Sequence, residues 1–276
     1  MATFLVLGGT GKVGRRLVAR ASSLGHTAHI GSRSGVDHRF DWHDLATYAP
    51  ALHNIDAVFI VGPGSASDWT DYLSIFLDRA VEAGVSRAVL LSARGVEYLP
   101  DGVVAQAEHA FATGPLLGTI IRPTHFAQNF TEAMWVPRDG RIVAPVGDAP
   151  HPFIDVRDIA EVAARLLSDG GYDGEVVKLS GRSALNFYDA AAVLRSVSGH
   201  TVEYVPEDRD SHVKRLRSGG TPETYIMWRM AMLDAIADGR DAYISDGTRL
   251  VLGRDAASFQ EWAEADAVGH SRMNDR

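Results

Sequence analysis

The chain of 276 residues contains no cysteine, which excludes disulfides, thiolate nucleophiles and cysteine metal ligands. Lysine is nearly as scarce: of 27 basic residues, only Lys12, Lys178 and Lys214 are lysines. No apolar run approaches the ~20 residues of a membrane span. The first one, Thr3 to Leu7, is too short for a signal segment and has no basic flank before it. Formal net charge is −8 with no dense basic block, which argues against a nucleic-acid surface. These absences lead to the expectation of a cytoplasmic protein with neither a membrane nor a nucleic-acid partner.

What is present is ample apolar material, 46% of residues, arranged in alternating patterns. Strands are expected at Thr3–Leu7, Thr27–Gly31, Arg39–Asp41, Asp56–Val61, Ala88–Ser92 and Gly118–Arg122. Helices are expected between them, near Lys12–Leu24, Asp44–Leu52, Asp68–Ala83 and Val103–Thr113. Continuous apolar strands such as AVFIV suit a parallel sheet covered on both faces. Strand–helix alternation at this spacing predicts an α/β fold, a Rossmann-type doubly wound parallel sheet. After Arg122 the rhythm breaks, and from Asn186 the chain reads as mainly helical. The expected division is a nucleotide-binding domain, 1–126 plus 151–181, and a small, mainly helical substrate lobe, 127–150 plus 182–276.

GGTGKVG places Gly8, Gly11 and Gly14 between the first strand and the first helix. Gly8 permits the turn, Gly11 lets the backbone approach a pyrophosphate, and Gly14 lets helix and sheet pack closely. With Thr10, Lys12 and Val13, these glycines form a candidate dinucleotide cradle at a helix N-terminus. An NAD site would place a carboxylate after the second strand. This chain has Ser32 and Arg33 there, a cation and a hydroxyl suited to a 2′-phosphate, so NADP(H) is the expected cofactor. Asp41 is expected near the adenine, with Gly62 and Pro63 in a loop small enough to let the cofactor cross the sheet.

GGTGKVG, LLSARG at 90–95, IRPTHFAQNF at 121–130 and FIDVRDIAEVA at 153–163 resemble the NmrA-like atypical short-chain dehydrogenase/reductases. FDWHDLATY and GRDAASFQEW are similar to the ergot-alkaloid-type reductase branch, which includes iminium reductases. The resemblance spans nearly the whole chain. It implies the fold, the cofactor, and a reductase acting in secondary metabolism.

The wider superfamily works with a serine and a Tyr-x-x-x-Lys pair. Ser92 matches the serine and serves as a candidate for both catalysis and cofactor contact. The pair itself cannot be assembled, because Tyr98 is the only tyrosine between Ser92 and Arg122, Gly102 stands four residues later, and no lysine lies between Lys12 and Lys178. Three readings follow. The acceptor is already electrophilic (iminium, quinonoid or enone), or another group such as His125, Tyr98, Gln106 or Glu108 supplies the proton, or the protein binds NADP(H) without turnover as a redox sensor. A non-redox coupling or cyclisation enzyme on the same scaffold is a further alternative.

By the resemblance, Asn129 and Phe130 shape the substrate mouth. His125, Phe126, Trp135, Phe153 and Trp228 join them as candidate substrate contacts for a flat polycyclic molecule. Asp155 is expected to cap a helix, with Asp158 three residues on. No histidine spacing suggests a metal, so none is expected. A small molecule is the expected partner, and a homodimer stands open.

Overall fold

The computed structural model describes residues 1–64 and 67–274, with 267–274 as backbone only. In chain order the first half runs β1 (Thr3–Leu7), α1 (Lys12–Ser23), β2 (Thr27–Ser32), β3 (His38–Arg39), α2 (Tyr48–Leu52), β4 (Ala57–Ile60), α3 (Thr70–Glu82), β5 (Arg87–Leu91), α4 (Val103–Thr113) and β6 (Gly118–Pro123). The second half runs α5 (Asn129–Glu132), β7 (Arg141–Ala144), α6 (Val156–Asp169), β8 (Val176–Leu179), α7 (Phe187–Ser198), β9 (Glu203–Pro206), α8 (Arg209–Ser218), α9 (Glu223–Ala237), α10 (Gly247–Leu252) and α11 (Phe259–Asn274).

Seven strands form one parallel sheet in the order β3-β2-β1-β4-β5-β6-β8. The expected Rossmann-type architecture is therefore present. The order reverses between β1 and β4, which opens a crevice at their C-terminal ends, where such sheets bind ligands. β4 is buried at every residue, as a strand covered on both faces must be. α1 buries Val13, Leu17 and Ala21, a stripe with a four-residue step, and leaves its arginines outside. Asp155 caps α6 as expected, with its carboxylate accepting from the Arg157 backbone N–H at 2.9 Å and from Gln128 Nε2 at 2.7 Å.

The second lobe differs from the sequence expectation in two respects. It contains a small parallel sheet, β7 beside β9, whose four-residue strands are too short to show a period. One segment of the expected lobe, α10, packs instead on α6 and β8, and Val251 joins the core beneath the large sheet. No described helix is long and apolar enough to cross a membrane.

Candidate active site

The glycine turn is built for close backbone approach. Gly8 sits at φ +67°, where a side chain is strained, and its carbonyl accepts from the Gly11 N–H at 2.9 Å. A Cβ on Gly14 would lie 2.3 Å from the Gly8 carbonyl oxygen, so only glycine lets α1 seat this tightly. Gly11 occupies the N-cap of α1 with no side chain capping it, which leaves the first N–H groups of the helix available to phosphate. Val13 is buried in the core, and only its backbone can serve the turn.

A cavity of about 360 Å³ lies over this turn and collects Gly8, Thr10, Ser32, Arg33, Asp41, Gly62 and Pro63. Phe40, Trp42 and His43 line it too. Trp42 is held by its indole N–H to the Val61 carbonyl at 3.0 Å and by edge contacts with Phe40 and Trp69. Arg33 is exposed and makes no ion pair among the described residues, so its guanidinium is available to an anion.

A second cavity, about 280 Å³, lies between the C-terminal ends of β5 and β6 and the α9 face of the lobe. Lys12 reaches it from the end of the glycine turn. Ser92, His125, Phe126, Asn129 and Trp228 line it, together with Arg94, Met232 and Asp241. Ser92 Oγ is buried and makes no hydrogen bond among the described residues. Burial, reinforced by the charges of Arg229 and Arg94, pushes His125 down to about 3, so its imidazole stays neutral.

Tyr98 points elsewhere. Its hydroxyl donates to Asp241 Oδ1 at 3.0 Å, and burial together with that carboxylate raises its pKa. Glu108 is committed to Arg122, whose Nε lies 2.9 Å away, and Gln106 Nε2 donates to the Asp101 carbonyl at 3.1 Å.

Phe130, Trp135 and Phe153 correct a further expectation, because each is only 1% exposed and none lines the cavity. They pack edge-on or tilted against one another and against Phe187 at centroid distances of 4.9 to 5.6 Å. Burying large aromatic area together outweighs exposing it at a mouth, so these rings form the lobe's core.

With this geometry in place, the chain can be set beside known proteins. No family model matches it. The uncharacterized oxidoreductase YesF of Bacillus subtilis is 32% identical over 273 residues, covering 96% of this chain and 95% of its own. The chain belongs to the NmrA-like atypical short-chain dehydrogenase/reductases. Festuclavine dehydrogenase of Aspergillus fumigatus is 28% identical over 284 residues, 96% of this chain and 97% of that one. The NADPH-dependent quinone oxidoreductase of Escherichia coli, solved with NADPH, superposes with a TM-score of 0.79 at 19% identity, covering 95% and 99% of the two chains.

Beyond the candidates read from the sequence stand two residues of the second cavity, Arg94 and Asp241, and one behind it, His151. Arg94 is 1% exposed, and its guanidinium donates to Asp241 Oδ1 at 3.1 Å, the Tyr243 carbonyl at 2.9 Å and Ser245 Oγ at 2.5 Å. Its carbon also stacks 3.8 Å above the Tyr243 ring. His151 is fully buried behind His125, with ring centroids 5.1 Å apart. Arg94 stood inside the LLSARG segment as a signal, whereas His151 and Asp241 sit in loops with no pattern to mark them.

Proposed function

We propose that this protein reduces an electron-poor, delocalised acceptor (quinonoid, iminium or enone) carried on a flat polycyclic molecule of secondary metabolism. The chain is an NAD(P)H-dependent oxidoreductase of the atypical type that lacks the Tyr-x-x-x-Lys dyad, with NADP(H) as its cofactor. The cradle fits that cofactor, since a side chain at Gly14 would collide with the turn and the free Arg33 suits a 2′-phosphate. NADPH supplies the hydride when bound. The protein's part is to hold the acceptor near Ser92 and to exclude water with Trp228 and Met232 from α9.

The observation that carries the substrate proposal is the state of the two donors expected beside Ser92. Tyr98 gives its hydroxyl to Asp241, and His125 is held neutral, so neither is poised to protonate an alkoxide, and the O–H and N–H groups left on the cavity wall include those of Tyr225 and Lys12. An acceptor whose charge is delocalised, or cancelled by the hydride itself, needs no such donor.

Initial rates of NADPH oxidation test this, with quinones, cyclic iminium ions and enones set against unactivated ketones of the same size. The expected preference for activated acceptors is about 1,000-fold, the range that a missing general acid imposes. Equal rates on unactivated ketones would overturn the proposal.

A further inference from the structure

On α9 a buried charge lacks a counter-charge. Arg229 is 8% exposed and makes no ion pair among the described residues. Its Nε donates to His212 Nε2 at 3.2 Å. His212 is fully buried, and burial lowers its pKa, so that partner is a neutral imidazole at pH 7. The carboxylates around α8 and α9 are committed elsewhere: Glu207 to Arg215, Asp234 to Arg209 and Glu223 to Arg217. Buried guanidinium groups are rare unless paired, because an uncompensated charge inside a protein is costly.

Arg229 stands beside the second cavity. Tyr225, one helical turn before it, lines that cavity, as do Trp228 and Met232 from the same helix. The charges that act on His125 in the cavity wall are those of Arg229 and Arg94, both positive.

A second cation is also uncommitted. Lys12 lines the cavity from the start of α1 and makes no ion pair among the described residues. The carboxylate that acts on it, Glu132, is already held by Arg15 and Arg16. The one carboxylate in the lining, Asp241, is taken by Arg94 at 3.1 Å. With His125 neutral, the cavity and its backing hold two positive charges, Lys12 and Arg229, in excess.

We infer that this cavity takes an acceptor bearing an acidic group, a carboxylate or an ionised phenol, and that Arg229 and Lys12 determine that specificity. Such a group supplies the counter-charge that the fold omits. A cationic iminium would add a third positive charge instead. Charge therefore divides the acceptor classes: acidic quinonoid and enone compounds are taken, and iminium ions are refused. The turnover half of this inference rests on the reductase proposal. The binding half does not.

Calorimetric titration of the NADPH-loaded full chain reads the charge preference without a reaction. The probes are 2-naphthoate, its methyl ester and 2-naphthyltrimethylammonium. The naphthoate is expected to bind at least tenfold more tightly than the ester, the scale of one charged hydrogen bond, with the ammonium compound weakest. Raising the salt concentration should narrow the gap. Equal binding of the three, or a preference for the ammonium compound, overturns the inference.

Arg229→Gln keeps a donor for His212 and removes the charge. It should lose most of the preference with NADPH affinity unchanged, whereas Arg229→Lys should retain part of it. Because the charge removed is an unpaired buried one, Tm of the free Arg229→Gln protein should stay level or rise. A naphthoate preference that survives in Arg229→Gln overturns the role of Arg229. Should that variant fail to fold, the probe order and its salt dependence in the wild type still decide the matter.

Initial rates then compare a quinone carrying a carboxylate with its methyl ester. About tenfold higher kcat/KM is expected for the acid, and equal values overturn the turnover half. If the naphthoate binds as expected and neither quinone is reduced, the reductase proposal fails and the anionic ligand stands.

Discussion

Arg94 and Asp241, 147 positions apart in the chain, meet at 3.1 Å in an ion pair that is almost wholly buried. Arg94 belongs to the turn after β5, and Asp241 to the loop after α9. The pair therefore ties the lobe to the sheet at the floor of the second cavity. Arg94 also donates from its two terminal nitrogens to the Tyr243 carbonyl and Ser245 Oγ on the same loop, so a single guanidinium holds that loop at three residues.

Breaking that pair should be costly. Arg94→Met would leave a buried carboxylate without its partner, and a loss of about 3 kcal/mol in urea unfolding is expected. The double variant Arg94→Met with Asp241→Leu should recover most of it, because no charge is then left unpaired. A double variant no more stable than Arg94→Met would show that the pair's charges are not what matters.

Arg33→Ala should weaken NADPH binding selectively. Removing a charged hydrogen-bond partner of a phosphate costs about 1.5 to 3 kcal/mol, roughly 10- to 100-fold in Kd. NADH, which lacks the 2′-phosphate, should bind the variant and the wild type alike. Fluorescence titration with both cofactors checks this.

Gly14→Ala forces a methyl to within 2.3 Å of the Gly8 carbonyl oxygen and 2.7 Å of the Gly9 Cα. Both atoms are backbone, so the turn must move. A loss of about 1 to 3 kcal/mol is expected from overpacking. Dinucleotide binding should be lost together with the stability, measured on the same sample by thermal unfolding with and without NADPH.

Stability should fall on acidification through His125 and His151. His125 is pushed down to about 3 from an ordinary value of 6.5, and His151 is also lowered, in both cases mainly by burial. Between those two pH values the unfolded chain binds a proton at His125 that the folded chain refuses. The stabilisation is thus complete above pH 6.5 and declines as pH falls toward 3. The slope for one such histidine is about 1.4 kcal/mol per pH unit. Urea unfolding at pH 7 and pH 5 should show a shallower loss in His125→Asn than in the wild type.

Much of this architecture was legible locally. β1 and α4 begin and end where the apolar pattern places them, because burial on a covered sheet or against one helix face is written in neighbouring residues. The glycine turn was legible for the same reason: Gly8, Gly11 and Gly14 act within one short loop. Asp155 could be read as a cap because a cap concerns only its own first turn. The sequence by itself thus determined the sheet, the glycine turn, the absence of the Tyr-x-x-x-Lys dyad, and the presence of Ser32 and Arg33 where β2 ends.

Tertiary structure decided the chemistry of the second cavity. Trp228 and Trp135 are both lobe tryptophans, yet one lines the cavity and the other is sealed in the aromatic core. Nothing in their local sequence separates them, since each fate depends on which rings arrive from distant segments. Tyr98 reads as a proton donor until Asp241, 143 positions later, takes its hydroxyl. His125 reads as a near-neutral acid until burial and two arginines from other elements remove its charge. A side chain's reactivity belongs to its surroundings, and here those surroundings are assembled by segments that meet only when the chain folds.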